Sequence, residues 1–472
     1  MPTALLAYRN LTRLLIALIL AIPLTGADLY LGSGWTGIIP IEATILSLLL
    51  MSGLFGLTML RAAHEDGGRR LIDLYGRTMP VLAGAGLLIV SSLVATFHPG
   101  TYWGDSLRYV LLPFYSFLIL TFSIAIADHP AMRRGVGIAF NIGLVVAGAT
   151  IVIDAIYPGT FSTFANRNSG FVQNANQGSR IVMLMLIGAL NWKQFRWSDL
   201  VKLLWAGAAV LLTLSRSGLV LFAIVAIIYS YAIVSHSPWS SRRRFSLALT
   251  FGLVVAFITV PSIVSYLSQQ AVFERAVYNR FSFFAHLLSG DLDPVSADPR
   301  AKLLPLYFRL IGESPIWGYG AGFSRTQIQP PHNIYLNQWV NEGALGLVAV
   351  LIFYVAILAL SWRHRSWQGI CLALYCMAAA MISHSILYDR AFVITIGLLT
   401  AAAAAATIAP RSVARQIRGR QHMVRWPGRE LPAGRASPPL PARRPPPNRE
   451  PQAPRRNAPP PPPATRVPGG AR

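Results

Sequence analysis

The run His332-Asn-Ile-Tyr-Leu-Asn-Gln-Trp-Val-Asn-Glu-Gly343 places an imidazole where the longest polar stretch of the chain meets an apolar span. An unperturbed histidine titrates near pH 6.5, so it suits the removal of a proton from a sugar hydroxyl. Pro330-Pro331 restrict the approach of the chain to it. Asn333 is placed to orient the ring, and Glu342 to cap or hydrogen-bond nearby. The ordinary role of a lone histidine here is as a cap or a satisfied polar residue. No His-x-x-x-His pair or Asp/His cluster surrounds it, so no metal site is expected.

Two arginines have the chemistry to hold an anion. Arg216 lies in Leu212-Thr-Leu-Ser-Arg-Ser-Gly-Leu219, between two apolar spans with almost no loop. A guanidinium at that depth is costly unless it is paired or meets water in a cavity. The hydroxyls and helix-start glycine beside it would make an anion pocket; the competing role is snorkelling to lipid headgroups. Arg300, in Asp298-Pro-Arg-Ala-Lys-Leu, is by itself an ordinary solvent-facing charge beside Asp298. Two guanidinium forks facing one cavity would suit a diphosphate. The stretch from Asn166 to Arg180 is rich in amides, including Asn176, and suits sugar hydroxyls or a solvated turn equally. His384, Asp389 and Arg390 form a further small polar cluster. Gly318-Tyr-Gly-Ala-Gly322 follows no predicted strand and reads as a tight turn rather than a phosphate cradle.

These residues must be positioned by membrane helices. The chain has 472 residues, is 54% hydrophobic and 12% charged, and has a mean hydropathy of +0.48; a soluble domain carries about a quarter charged residues. The fold class is all-α: a polytopic membrane protein with twelve spans near 14–31, 38–60, 79–97, 109–127, 136–156, 179–190, 200–214, 217–234, 246–265, 344–361, 369–386 and 391–409. The first, Leu14–Leu31, reads as a retained helix rather than a cleaved leader. Cys371 and Cys376 are the only cysteines and both fall inside a span, which leaves no disulfide framework.

Basic residues mark alternate loops: Arg61/Arg69/Arg70/Arg77, Arg133/Arg134, Lys193/Arg196, Arg242/Arg243/Arg244 and Arg363/Arg365. The positive-inside rule puts these loops and both termini in the cytoplasm. The loops at 32–37, 98–108, 157–178, 215–217, 266–343 and 387–390 then lie outside. Residues 1–410 form the transmembrane domain, with 266–343 a large structured external loop within it. Residues 411–472 hold 14 arginines, two acids and 16 of the 33 prolines. That composition is expected to be a disordered tail that meets anionic lipid or anchors topology, with no nucleic-acid partner. No Walker motif or nucleotide loop is present, so a bond made outside would need an activated donor.

Taken in order, Gly170-Phe-Val-Gln-Asn-Ala-Asn176, Ser215-Arg-Ser-Gly218, Asp298-Pro-Arg300 leading to Ser314-Pro-Ile-Trp-Gly-Tyr-Gly320, and His332-Asn333 with Glu342-Gly343 resemble the O-antigen ligase and O-antigen polymerase superfamily of bacterial envelope enzymes. The resemblance covers roughly 160–350, and the span layout extends it to about 409. It implies a metal-independent, cofactor-free inverting glycosyltransferase at the periplasmic face of the inner membrane, using a glycan linked to undecaprenyl diphosphate. Arg216 and Arg300 then match the arginines that hold the diphosphate, and His332 matches the base. Asn333, Glu342, Asn176 and Arg180 are supporting residues. Two departures stand out: Leu303-Leu-Pro-Leu-Tyr-Phe308 where many relatives place a Trp, with Pro305 expected to disturb that helix, and the Pro/Arg tail.

A ligase passes the glycan to lipid A-core and a polymerase passes it to the growing glycan; the reading here leans to ligase. A protein-glycosylating relative would use a Ser or Thr hydroxyl. A transporter for lipid-linked saccharides is the reading from another class. It should place charges through the middle of several spans, whereas the ionisable residues here gather towards one face.

Overall fold

A computed structural model describes residues 2–32, 39, 41–99, 101, 103–128, 130–162, 167–172, 174–269, 278, 299–326, 330–383 and 385–405. Arg300 lies on a described helix, but its side chain is outside the described residues, as are His384 and the whole tail expected at 411–472.

All regular structure among the described residues is helical. In chain order the helices are α1 (Pro2–Thr25), α2 (Ala27–Leu31), α3 (Ala43–Asp66), α4 (Arg69–Thr96), α5 (Trp103–Ile126), α6 (Pro130–Ile156), α7 (Ala175–Ala189), α8 (Trp197–Leu212) and α9 (Arg216–His236). They continue as α10 (Trp239–Gln269), α11 (Pro299–Glu313), α12 (Phe323–Thr326), α13 (Ile334–Arg363), α14 (Trp367–Ala380) and α15 (Arg390–Ala405), with a 3-10 turn at Ile386–Tyr388. Each expected span overlaps one of these helices. Seven of them, in α3, α4, α5, α6, α9, α10 and α13, are long and apolar enough to cross a membrane. Apolar segments of α1, α14 and α15 are shorter.

The helix ends depart from the hydropathy boundaries. Arg61, Arg69, Arg70 and Arg77, expected in a loop, lie inside α3 and α4, which are joined by Gly67 and Gly68 alone, both at positive φ (63° and 80°). Arg70 is held there by Asp128, at 3.0 Å. α13 begins ten residues before the expected span, so the stretch expected as a loop over 266–343 gives way to helix after 333. α11 continues through Pro305 without a break.

Burial follows two patterns. The shared core runs through α1, α3 to α9 and α13 to α15, with the start of α10, and has Tyr229, Tyr354, Tyr375 and Phe392 among its fully buried side chains. On α10, by contrast, Phe251, Leu253, Phe257 and Ile258 are exposed, Phe257 by 82%. A helix this apolar with its side chains uncovered is built for hydrocarbon, not water. One buried ion pair crosses the bundle: Arg390 Nε lies 2.9 Å from Asp28 Oδ2, with Arg390 Nη1 donating to Thr44 Oγ1 and Ser47 Oγ to Asp28. Arg390 is therefore spent on holding α15 to α2 and α3, not on the polar cluster expected for it.

Candidate functional site

The Gly170–Asn176 and Ser215–Gly218 motifs lie far apart in sequence and meet in space. Asn174 caps α7 by accepting from Asn176 N at 2.9 Å, and Ser215 caps α9 by accepting from Gly218 N at 3.1 Å. Between the two caps, Asn176 Oδ1 accepts from Ser215 Oγ (2.7 Å) and from Arg167 Nη2 (3.1 Å). Gly218 is needed for the approach, since a Cβ there would sit 2.7 Å from Ser179 Oγ. Arg216 is the first residue of α9 and is half-buried. Two helix N-termini thus meet, with the Arg167 guanidinium bound at Asn176, an arrangement that favours anions. Arg180 sits one turn further along α7, and its Nε is buried without a hydrogen-bond partner among the described residues.

The loop carrying Arg167 and Gly170 is organised by a residue that the motifs did not single out. Asp154, fully buried near the end of α6, accepts from four backbone N–H groups: Phe161 (2.7 Å), Ser162 (3.2 Å), Ser169 (3.3 Å) and Gly170 (3.1 Å). Removing that carboxylate orphans all four, at about 1–3 kcal/mol for each that stays buried. Asp154→Ala is therefore expected to unfasten the loop while the helices persist. Circular dichroism should be unchanged, and a cysteine introduced at Ser169 (now buried) should become accessible to a thiol reagent. Continued protection of that thiol would count against the clamp.

His332 lies half-buried, two residues ahead of α13. Asn333, expected to orient the imidazole, is the N-cap: its Oδ1 accepts from Tyr335 N (2.9 Å) and Leu336 N (3.2 Å). α13 then breaks at Gly343 (φ 67°, ψ −160°) into a short polar half and a long apolar half. The backbone groups freed by the break are taken up by the Ser314–Gly320 loop. Tyr319 N donates to Val340 O (2.8 Å), Gly320 N to Asn341 O (3.0 Å), and Ala344 N to Ile316 O (3.1 Å). The glycines permit backbone-to-backbone contact, since a Cβ on Gly318 would lie 2.6 Å from Gly343 N. Gly318, Gly320 and Gly322 all have positive φ, so this stretch is the tight turn the sequence indicated.

The polar half of α13 is anchored on three sides. Tyr307, Leu310 and Ile311 of α11 pack against Leu336 and Val340, and burial raises the Tyr307 phenol above its ordinary range, which keeps it neutral. Asn337 and Asn341 accept from Ser324 Oγ and Ser324 N at 2.7 and 2.8 Å. Glu342 is buried and accepts from Ser91 Oγ (2.5 Å), Ser92 Oγ (2.8 Å) and Gln338 Nε2 (3.0 Å), which ties α13 to α4. It lies nine positions on from Asn333, roughly 13 Å at 1.5 Å per residue, so Glu342 anchors the helix and does not reach His332.

A polar cavity of about 390 Å³ lies between α7 and α13. Its wall runs from Gln177 on α7, past Tyr388 and Asp389, to Asn337 and Gln338 on α13 and Pro330 beside His332. Gln177 Nε2 donates to Asp389 Oδ2 (3.2 Å) and Gln338 Nε2 to Tyr388 Oη (3.2 Å). The structure brings Asn176 to Ser215, the residue before Arg216, and separately sets Asn333 and His332 at the start of α13; none of Asn176, Arg216, Asn333 and His332 is among the cavity's lining residues. Arg300 opens α11, its side chain undescribed. Sequence reasoning passed over Asp154, Gln177, Ser91, Ser92 and Gln338. Of these only Asp154, a lone acid near the end of an apolar span, carried a signal.

Comparison with known families gives a match to the family model described as O-antigen ligase over residues 201–351, a segment that contains Arg216, Arg300, His332 and Glu342 but neither Asn176 nor Arg180. No curated protein matches the chain.

Proposed function

We propose, from the match of residues 201–351 to the O-antigen ligase family model, that this chain is a multi-pass inner-membrane ligase. It moves a glycan from undecaprenyl diphosphate to a hydroxyl of lipid A-core at the periplasmic face. All twelve apolar helices cross the membrane in this reading, with the loops around His332 and Arg216 outside and both termini in the cytoplasm. The observation that carries it is the meeting of the α7 and α9 N-termini, where Ser215 Oγ donates to Asn176 Oδ1 and Arg216 opens α9, an arrangement that favours anions.

The acceptor hydroxyl gives its proton to His332 as its oxygen attacks the anomeric carbon. The bond from that carbon to the diphosphate oxygen breaks, the configuration inverts, and undecaprenyl diphosphate leaves with the bonding electron pair. Arg216 and Arg300 hold the charge that grows on the leaving diphosphate, where fixed donors are worth most. Asn176 and Arg180 support this pocket, Asn333 fixes the chain beside the base, and Glu342 fixes the helix that follows. The amide and carboxylate groups of the cavity suit sugar hydroxyls. No step needs ATP or a divalent cation.

The test is a transfer assay with purified protein, a synthetic undecaprenyl-diphosphate glycan and two acceptors, lipid A-core and free oligosaccharide, in the presence of a chelator. Product on lipid A-core, with Arg216→Ala lowering donor use by about 10²-fold or more, is the expected result. Lengthening of the glycan instead would make the protein a polymerase with the same donor chemistry. No transfer to either acceptor would leave binding without bond formation, as in a transporter.

A further inference from the structure

The end of the bundle opposite His332 holds a second cavity, of about 1000 Å³, which the transfer chemistry does not use. It is formed where the turn after α7 meets the start of α8, the end of α9 and the α13–α14 turn. Lys193, Arg196, Lys202, Arg365, Trp362 and Trp367 contribute to its wall. Asp199 is the one carboxylate among its lining residues and is already committed. It accepts from Arg196 N (3.0 Å) and Tyr229 Oη (3.2 Å) and pairs with Lys202 at 3.7 Å. Lys193, Arg196 and Arg365 are exposed and make no ion pair among the described residues. A neighbouring cavity of about 490 Å³ shares the wall at Asn141, Gly188 and Ala189 and adds Arg13 and Arg134.

Two further observations point to a ligand. Arg365 has φ 51°, and the turn it occupies is closed by Ser366 N donating to Ser361 O at 2.9 Å. That closure after a helix is where glycine fits at least cost, yet here it carries a guanidinium at the cavity mouth. Trp197, Trp239 and Trp362 lie at the same end and are 51%, 78% and 69% exposed. Tryptophans so placed mark headgroup depth in a bilayer. Surplus cations at that depth, between helices, meet phosphate.

We propose that this cavity holds the phosphate of an anionic phospholipid headgroup from the cytoplasmic leaflet. The inference rests on membrane insertion and on the positive-inside orientation, not on the transfer reaction. It is distinct from any contact made by the Arg-rich tail, because its cations belong to the helical bundle.

Full-length protein, delipidated in detergent, would be titrated with phosphatidylglycerol or phosphatidylethanolamine and followed by thermal melting and native mass spectrometry. Phosphatidylglycerol should bind preferentially and raise Tm. The triple variant Lys193→Gln/Arg196→Gln/Arg365→Gln should bind it about 100-fold more weakly, given the usual contribution of each basic residue at an anionic surface. Arg365→Gly covers the case of a triple variant that fails to fold. It should raise the Tm of the lipid-free protein by relieving the turn, yet weaken lipid binding by about 5-fold. Equal binding of both lipids, or unchanged affinity in a folded triple variant or in Arg365→Gly, would overturn the proposal. So would equal protection by inorganic phosphate, which would assign the site to a soluble anion. Loss of the preference on deleting residues 411–472, with the triple variant unaffected, would overturn it in favour of the tail.

Discussion

His332→Ala is expected to slow glycan transfer by about 10²- to 10⁴-fold, the usual contribution of a positioned general base, without a matching loss of stability. The structure separates these two effects. The helix that follows His332 is capped by Asn333 and clamped by Ser91, Ser92 and Ser324 through side chains further along it. His332 is half-buried and precedes that helix, so its truncation should cost about 1 kcal/mol at most. Asn333→Ala is the informative contrast. Losing the cap should cost about 0.5–2 kcal/mol and lower Tm, with a smaller effect on rate. The readouts are single-turnover transfer from a lipid-linked donor and melting of the same preparations. Normal turnover by His332→Ala would remove it as the base. A large fall in Tm would recast it as a structural residue.

The same reasoning explains what could be read along the chain. Hydropathy located a helix at each apolar run, and seven of these among the described residues have bilayer length, because such a run has few other solutions. It misplaced the start of α13 because Asn337, Gln338, Asn341 and Glu342 give that turn of helix the composition of a loop. These polar side chains are tolerated in a helix because each finds a partner from another element, and Glu342 finds its partners about 250 residues away. Pairing at that separation leaves no local signature. The caps at Asn174, Ser215 and Asn333 are local, which is why the motifs holding them stood out. The meeting of the first two, through Ser215 Oγ and Asn176 Oδ1, is tertiary and became visible only in the fold. Arg390 shows the converse: it stands beside Asp389 in sequence but turns inward to Asp28.

Gly343→Ala is the second substitution with a large expected effect, and it tests whether the kinked helix positions the site. At φ 67°, ψ −160° the backbone occupies a region open essentially to glycine alone, which costs any other residue about 1–3 kcal/mol. A methyl group there would also lie 2.0 Å from Ile316 O, so either the Ser314–Gly320 loop lifts or α13 straightens. Lifting the loop breaks the bonds to Val340 O, Asn341 O and Ala344 N; straightening swings Asn337 and Gln338 away from Gln177 and Asp389 and moves Asn333 and His332 with them. Both routes predict a loss of at least about 3 kcal/mol, faster proteolysis within 314–322, and transfer reduced well beyond the fall in folded protein. Gly312→Ala supplies the control. Gly312 lies within α11 with open space at its Cβ position, so alanine there should stabilise by about 0.5–1 kcal/mol. A Gly343→Ala protein that melts and turns over like Gly312→Ala would show that the break in α13 is incidental to the chemistry at its tip.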